Sequence, residues 1–187
     1  RYVTGSSCVA SQILHAVGIA MAIKMRGEGV ACVACFGEGA TSEGDFHEAM
    51  SFAGIHDLPV VFFCQNNGYS ITVPTDEELP IGVAERARGY GFPGERVDGN
   101  DLLAVYAASN RAMERARAGK GPSLIEAVVY RLTPHSSDDD DRRYRTAEEV
   151  EKARGTEPVA TTRRYLMQAG LLTEAQDDAM SEEIATM

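Results

Sequence analysis

Two short stretches carry the residues best suited to chemistry. One is Gly37-Glu38-Gly39-Ala40, placed directly after an apolar run. The other is Asn66-Asn67-Gly68-Tyr69, placed directly after a second apolar run. Glycines allow tight turning and close approach of the backbone to a ligand. Backbone N–H groups at a following helix start can hold phosphate oxygens. Glu38 adds a carboxylate, the Asn pair adds side-chain oxygens, and Tyr69 adds a loop carbonyl. These hard oxygen ligands suit Mg2+, which usually completes its octahedron with phosphate oxygens and water. A Gly-x-Gly turn alone is common. Here 26 residues lie between Gly39 and Asn66, enough for one helix and one strand, so the neighbouring strand returns its end beside the first. A third polar cluster runs from His135 to Asp141. A histidine at a strand end beside a phosphate can donate a hydrogen bond to it or act as an acid.

The elements that must position these residues are legible as an alternation. Residues 1–8 read as a loop. Val9 to Met25 is apolar nearly all round and rich in small residues, which suggests a buried helix, stopped by Gly27. His15 within it reads as a hydrogen-bonded core or interface histidine. Val30 to Phe36 has strand length. Ser42 with Asp45 fits a capping box that opens a helix ending near Gly54. Residues 58–64 form another apolar strand. Strand, helix and strand, both strands apolar throughout, read as a βαβ unit with parallel strands. After a loop to Pro80 and a short helix, Asp98 to Asp101 supply a turn and a cap. A long helix follows, with Leu102, Leu103, Val105, Tyr106 and Met113 as its apolar face and Gly119 as its stop. Ser123 to Leu132 is a third apolar strand, in which Glu126 reads as a carboxylate paired in the core. Three helical segments, 146–154, 159–169 and 173–187, close the chain, the last opened by a Thr173–Gln176 capping box. The expected fold is α/β, a mainly parallel sheet flanked by helices, over residues 1–145, with a C-terminal helical extension over 146–187. In such folds ligands bind outside the carboxyl ends of the strands, where the three polar clusters fall.

Composition narrows the functions. The 187 residues carry 18 Lys and Arg against 28 Asp and Glu, a formal charge of -10. With no basic cluster longer than Arg142-Arg143, nucleic acid and an anionic membrane are disfavoured as partners. No apolar run approaches the roughly 18 residues of a membrane span. Cys32 and Cys35 form C-x2-C, but on a strand residues three apart face opposite ways, and no second pair completes a zinc site. All four cysteines are expected to be reduced and buried in an intracellular protein. Asp138–Asp141 lacks the spacing and terminal Glu of an EF-hand and reads as a solvated loop balanced by Arg142, Arg143 and Arg145.

The blocks FGEGATSEGDFHEA, FFCQNNGYSITVPT, RVDGNDLLAVY, GPSLIEAVVYRL and PHSSDDDDRRYR, in this order, resemble the α subunit of the E1 component of 2-oxo acid dehydrogenase complexes. The resemblance covers essentially the whole chain. Glu in Gly-Glu-Gly and the His-Ser-Ser loop bring it nearer to the branched-chain enzymes than to pyruvate dehydrogenase. Pyruvate or acetoin dehydrogenase α subunits, or a non-catalytic subunit keeping the fold, are the alternatives.

The resemblance implies a thiamine diphosphate-binding fold with Mg2+ held by Glu38, Asn67 and the Tyr69 carbonyl. It implies that Gly37, Gly39 and Ala40 contact the diphosphate, that Gln65 stands where many relatives carry an Arg for it, and that Ser7 and Val9 reach the aminopyrimidine side. Ser6, Ser11 and Gln12 match a potassium loop of branched-chain members, with Cys8 in place of a common Pro. His135 matches the active-site histidine, and Ser136 the serine phosphorylated in mitochondrial relatives, where a phosphate would repel the anionic cofactor. The implied activity is decarboxylation of a 2-oxo acid, with thiamine diphosphate supplying the carbanion chemistry, and transfer of the acyl group to the lipoyl domain of E2. The implied partner is an E1 β subunit in an α2β2 heterotetramer. An upstream segment of relatives has no counterpart here. The implied compartment is the bacterial cytoplasm or the mitochondrial matrix.

Overall fold

The structure, a computed structural model, describes residues 2–3 and 7–187. Helix α1 (Ser11–Arg26) ends at Gly27, whose left-handed backbone lets its N–H bond back to the Ile23 and Lys24 carbonyls. Strand β1 (Cys32–Gly37) runs into a 3-10 turn over Glu38–Ser42 and then helix α2 (Gly44–Ile55). Strand β2 (Val60–Asn66) is followed by a small hairpin, β3 (Tyr69–Ser70) and β4 (Val73–Pro74). Short helices α3 (Thr75–Glu78) and α4 (Val83–Arg86) lead to strand β5 (Gly94–Asp98). Helix α5 (Leu102–Arg117) and strand β6 (Ser123–Val128) complete the α/β unit.

The main sheet has the order β1-β2-β6-β5, and every pairing in it is parallel. The central strands β2 and β6 are the most continuously buried, as strands covered on both faces must be. One face carries Ala34, Phe36, Val60, Phe62, Cys64 and Leu124 against α1, α2 and α4. The other carries Val61 and Ile125 against Ala108, Ala112 and Ala116 of α5. Phe46, Phe62 and Met50 are fully buried, each contributing about 1.5–3 kcal/mol from removed apolar surface.

Several expectations change. Ser42 does not cap α2. The 3-10 turn delays the helix start, Glu43 occupies the cap position without a side-chain bond, and the Ser42 hydroxyl donates to Glu78 Oε1 at 2.7 Å. Residues 94–98, where no strand was expected, form β5, and the expected turn follows it. The buried stripe of α5 is its alanines, while Leu102, Leu103 and Tyr106 are exposed. His15 is exposed on α1, which excludes the core half of its expected core-or-interface place. Of the four cysteines only Cys64 is buried. Cys8 is exposed, and on the edge strand β1 Cys35 is exposed and Cys32 half-buried.

The tail consists of helices α6 (Ala147–Arg154), α7 (Pro158–Gln168) and α8 (Glu174–Ala185), none with a buried residue. Local capping defines them. Thr146, Glu157 and Thr173 accept first-turn N–H groups, and Thr173 with Gln176 forms the expected capping box. Among the described residues no helix is long and apolar enough to cross a membrane.

Candidate metal and diphosphate site

Gly37 ends β1 and stands in register with Gln65 of β2, so the two chemistry-bearing stretches leave adjacent strands at the same edge. They are joined directly. The Asn67 N–H donates to Glu38 Oε2 at 3.0 Å. Glu38 is 1% exposed, and burial pushes its carboxyl up from the ordinary 4.5, opposed by the Asn67 amide. Among the described residues no ion pair neutralises it. A buried carboxylate without a close cation is costly, and a bound cation would relieve that cost.

The Asn67–Tyr69 turn is tightly specified. Gly68 takes φ +89, which suits glycine alone. Asn67 Oδ1 accepts the Tyr69 N–H at 3.3 Å. Asn66 Oδ1 accepts the Gly68 N–H and the Thr75 hydroxyl, each at 3.1 Å. The Tyr69 carbonyl accepts from Arg131 Nη1 at 3.2 Å and keeps a second lone pair for a metal. Among the described residues no three His, Cys, Asp or Glu side chains cluster to hold a metal. A metal bound at this turn would meet one carboxylate, one amide oxygen and one carbonyl. That incomplete set fits Mg2+ completed by phosphate oxygens and water.

The glycines differ in what they do. A Cβ at Gly39 would fall 2.3 Å from Ser70 Oγ, whereas one at Gly37 would meet nothing within 4 Å. Gly39 thus lies close against the hairpin, where a Cβ would displace the Ser70 side chain, and the space over Gly37 stays open. Ala40 and Thr41 are buried in the turn. Arg86 fixes that turn from α4, donating to Thr41 Oγ1 at 2.8 Å and to the Thr41 carbonyl at 3.0 Å. Gln65 is exposed on the sheet face opposite Asn66.

At the start of α1, Gln12 Nε2 donates to the Cys35 carbonyl at 3.2 Å, and Ser11 Oγ to the Cys8 carbonyl at 2.9 Å. These bonds hold exposed Ser7 and Val9 near the carboxyl end of β1. Ser6 lies outside the described residues. His135 and Ser136 are exposed on the loop after β6. That loop is organised rather than loose. The His135 N–H donates to Asp139 Oδ2 at 2.8 Å, the Tyr144 hydroxyl donates to the same oxygen, and Arg131 Nη2 reaches the Tyr144 hydroxyl. Arg145 pairs with Asp141 and Arg142 with Asp140, which accounts for part of the aspartate run. Arg131 therefore links the Tyr69 turn to the histidine loop.

A comparison of sequences agrees with this geometry. The chain matches the family described as "Dehydrogenase E1 component" over residues 1–187. The chain belongs to that family. The 2-oxoisovalerate dehydrogenase subunit alpha of Bacillus subtilis (strain 168) is 52% identical over 98% of this chain and 56% of its own length. The 3-methyl-2-oxobutanoate dehydrogenase subunit alpha of Mycobacterium tuberculosis (strain ATCC 25618 / H37Rv) is 47% identical over 92% of this chain and 47% of its own length. The mitochondrial 2-oxoisovalerate dehydrogenase subunit alpha of Homo sapiens is 44% identical over 98% of this chain and 42% of its own length. The chain thus spans about half the length of the curated relatives it matches.

Two contacts at this candidate site gave no sign in the sequence, Arg131 on the Tyr69 carbonyl and Arg86 on Thr41, and a third residue, Asn66, was marked there without its bracing role. Asn66 was visible as half of an Asn pair, but only its burial separates its role from that of Asn67. The arginines gave no local signal, since each acts across the fold.

Proposed function

We propose that this chain is the cofactor-anchoring part of the α subunit of a thiamine diphosphate- and Mg2+-dependent 2-oxo acid dehydrogenase E1, acting on branched-chain 2-oxo acids. The observation that carries the proposal is the bond from the Asn67 N–H to the buried Glu38 carboxylate, at the carboxyl ends of neighbouring parallel strands. Thiamine diphosphate supplies the carbanion chemistry when bound. Glu38, Asn67 Oδ1 and the Tyr69 carbonyl would hold the metal. Gly37, Gly39 and Ala40 would face the diphosphate, with Gln65 offering a neutral donor and Ser7 and Val9 lying toward the aminopyrimidine. His135 would hydrogen-bond the diphosphate side and serve the lipoyl acceptor as an acid, with Ser136 beside it. Ser6, Ser11 and Gln12 would form a potassium site. Residues 1–145 would act as the cofactor-binding unit and 146–187 as its helical extension.

The partners proposed are an E1 β subunit in an α2β2 heterotetramer and the lipoyl domain of E2. The compartment proposed is the bacterial cytoplasm or the mitochondrial matrix. The names of the relatives support a branched-chain substrate. Co-expression of the full-length α subunit with its β subunit, followed by a decarboxylation panel with thiamine diphosphate and Mg2+, tests the reading. Preference for 3-methyl-2-oxobutanoate over pyruvate is expected. Preference for pyruvate would overturn the substrate, and no turnover of any 2-oxo acid would overturn the enzyme.

A further inference from the structure

Glu126 is a fully buried carboxylate in β6, paired in register with Cys64 of β2 and Arg96 of β5. Leucine would fill such a position in a central strand without the cost of burying a charge. Two hydrogen bonds compensate it. Oε1 accepts from Asn66 Nδ2 at 2.8 Å, and Oε2 accepts from the Ala84 N–H of α4 at 2.9 Å. The nearest cation, Arg96, stands 4.0 Å away on a largely exposed side chain.

The consequence lies one residue further on. The amide of an Asn can usually be turned either way. Here it cannot, because an ionised carboxylate only accepts, so Asn66 must present its NH2 to Glu126. Its Oδ1 then points the opposite way, where the Gly68 N–H and the Thr75 hydroxyl donate to it. These bonds fix the left-handed Gly68 and, on either side of it, Asn67 and Tyr69. We infer that Glu126 is a positioning residue for the metal turn. By dictating the orientation of the Asn66 amide it sets Asn67 and the Tyr69 carbonyl for Mg2+, an inference that rests on the metal site proposed above.

Replacing Glu126 by Gln supplies one acceptor and one donor in the same shape. With its oxygen on the Ala84 N–H, its NH2 meets the Asn66 NH2. If Asn66 turns to escape, its NH2 meets the Gly68 N–H, and the conflict moves into the metal turn. Pairing Glu126→Gln with Asn66→Asp removes the conflict, because the new amide donates to an oxygen of the new carboxylate and the other oxygen still accepts from Gly68 and Thr75. Asn66→Asp alone sets two carboxylates head to head.

The test titrates Mg2+ calorimetrically into the full-length α subunit assembled with its β subunit, in saturating thiamine diphosphate. The half-saturating Mg2+ should rise about 10–100-fold in Glu126→Gln, the range for partners that orient a metal ligand. It should also rise in Asn66→Asp, and return to within about threefold of the natural protein in the double variant. Unchanged affinity in Glu126→Gln, or a double variant no better than the singles, would overturn the inference. If Glu126→Gln does not fold, Thr75→Val probes the other end of the relay, where a several-fold rise is expected and no rise would overturn it. Failure of the natural protein to bind Mg2+ would instead overturn the metal site itself, and this inference with it.

Discussion

Glu38 and Gly39 are adjacent but answer to different constraints. Glu38 is held by charge, as a buried carboxylate facing the Asn67 N–H. Gly39 is held by space, because a Cβ there would fall 2.3 Å from Ser70 Oγ. Gly39→Ala should therefore destabilise by about 1–3 kcal/mol, as overpacking does, and Ser70→Gly in the same chain should recover most of that loss. Urea denaturation of the two variants checks it, and a double variant as unstable as Gly39→Ala would refute the contact. At this scale much of the site was legible. Glu38, Gly39, Asn67 and Tyr69 stand where their spacing put them, since a glycine turn and an Asn pair are local signals. Asn66, Arg86 and Arg131 were not legible in their roles. Each is defined by what it bonds across the fold, and nothing in its neighbours reveals the partner.

Elements differ in how far local sequence decides them. β2 and β6 were plain because burial on both faces forces a mostly apolar run, broken in β6 by Glu126. β5 was missed because Gly94-Glu95-Arg96-Val97-Asp98 is an edge strand with alternating exposure, and its backbone order comes from pairing with β6. α5 was found, capped by Asp101 and stopped at Gly119 as expected, and Met113 packs on the core, but Leu102, Leu103 and Tyr106 of the expected face are exposed. Its alanines let the helix approach the sheet closely, which a ranking by hydrophobicity overlooks. In the tail, α6 is tied to the site by one carboxylate. Glu149 Oε1 accepts the hydroxyls of Tyr69 at 2.7 Å and Tyr130 at 2.8 Å. These hydroxyls hold the Glu149 carboxyl below its ordinary 4.5. A carboxylate whose value is lowered by folding stabilises the fold above its unfolded value and loses that contribution as pH falls through the folded one. Melting temperature should therefore drop on acidification below about pH 4.5 by more in the natural chain than in Glu149→Gln. Identical pH profiles would show that the contact contributes nothing to stability.

The whole molecule is a four-stranded parallel sheet that gathers two chain-distant turns at one edge and brings the histidine loop alongside through Arg131. Family membership follows from the match along the full chain. The order of elements gives it a physical reason, since parallel strands with helical crossovers expose their carboxyl ends together. In the function proposed here, Glu38 anchors the metal through which this chain holds a diphosphate. The most direct test is calorimetric titration of thiamine diphosphate into the assembled full-length α and β subunits, with and without Mg2+, for the natural protein and Glu38→Ala. Saturable, Mg2+-dependent binding is expected for the natural protein and none for Glu38→Ala, with the far-UV circular dichroism of the two unchanged. Equal affinity in both proteins, or binding indifferent to Mg2+, would contradict it.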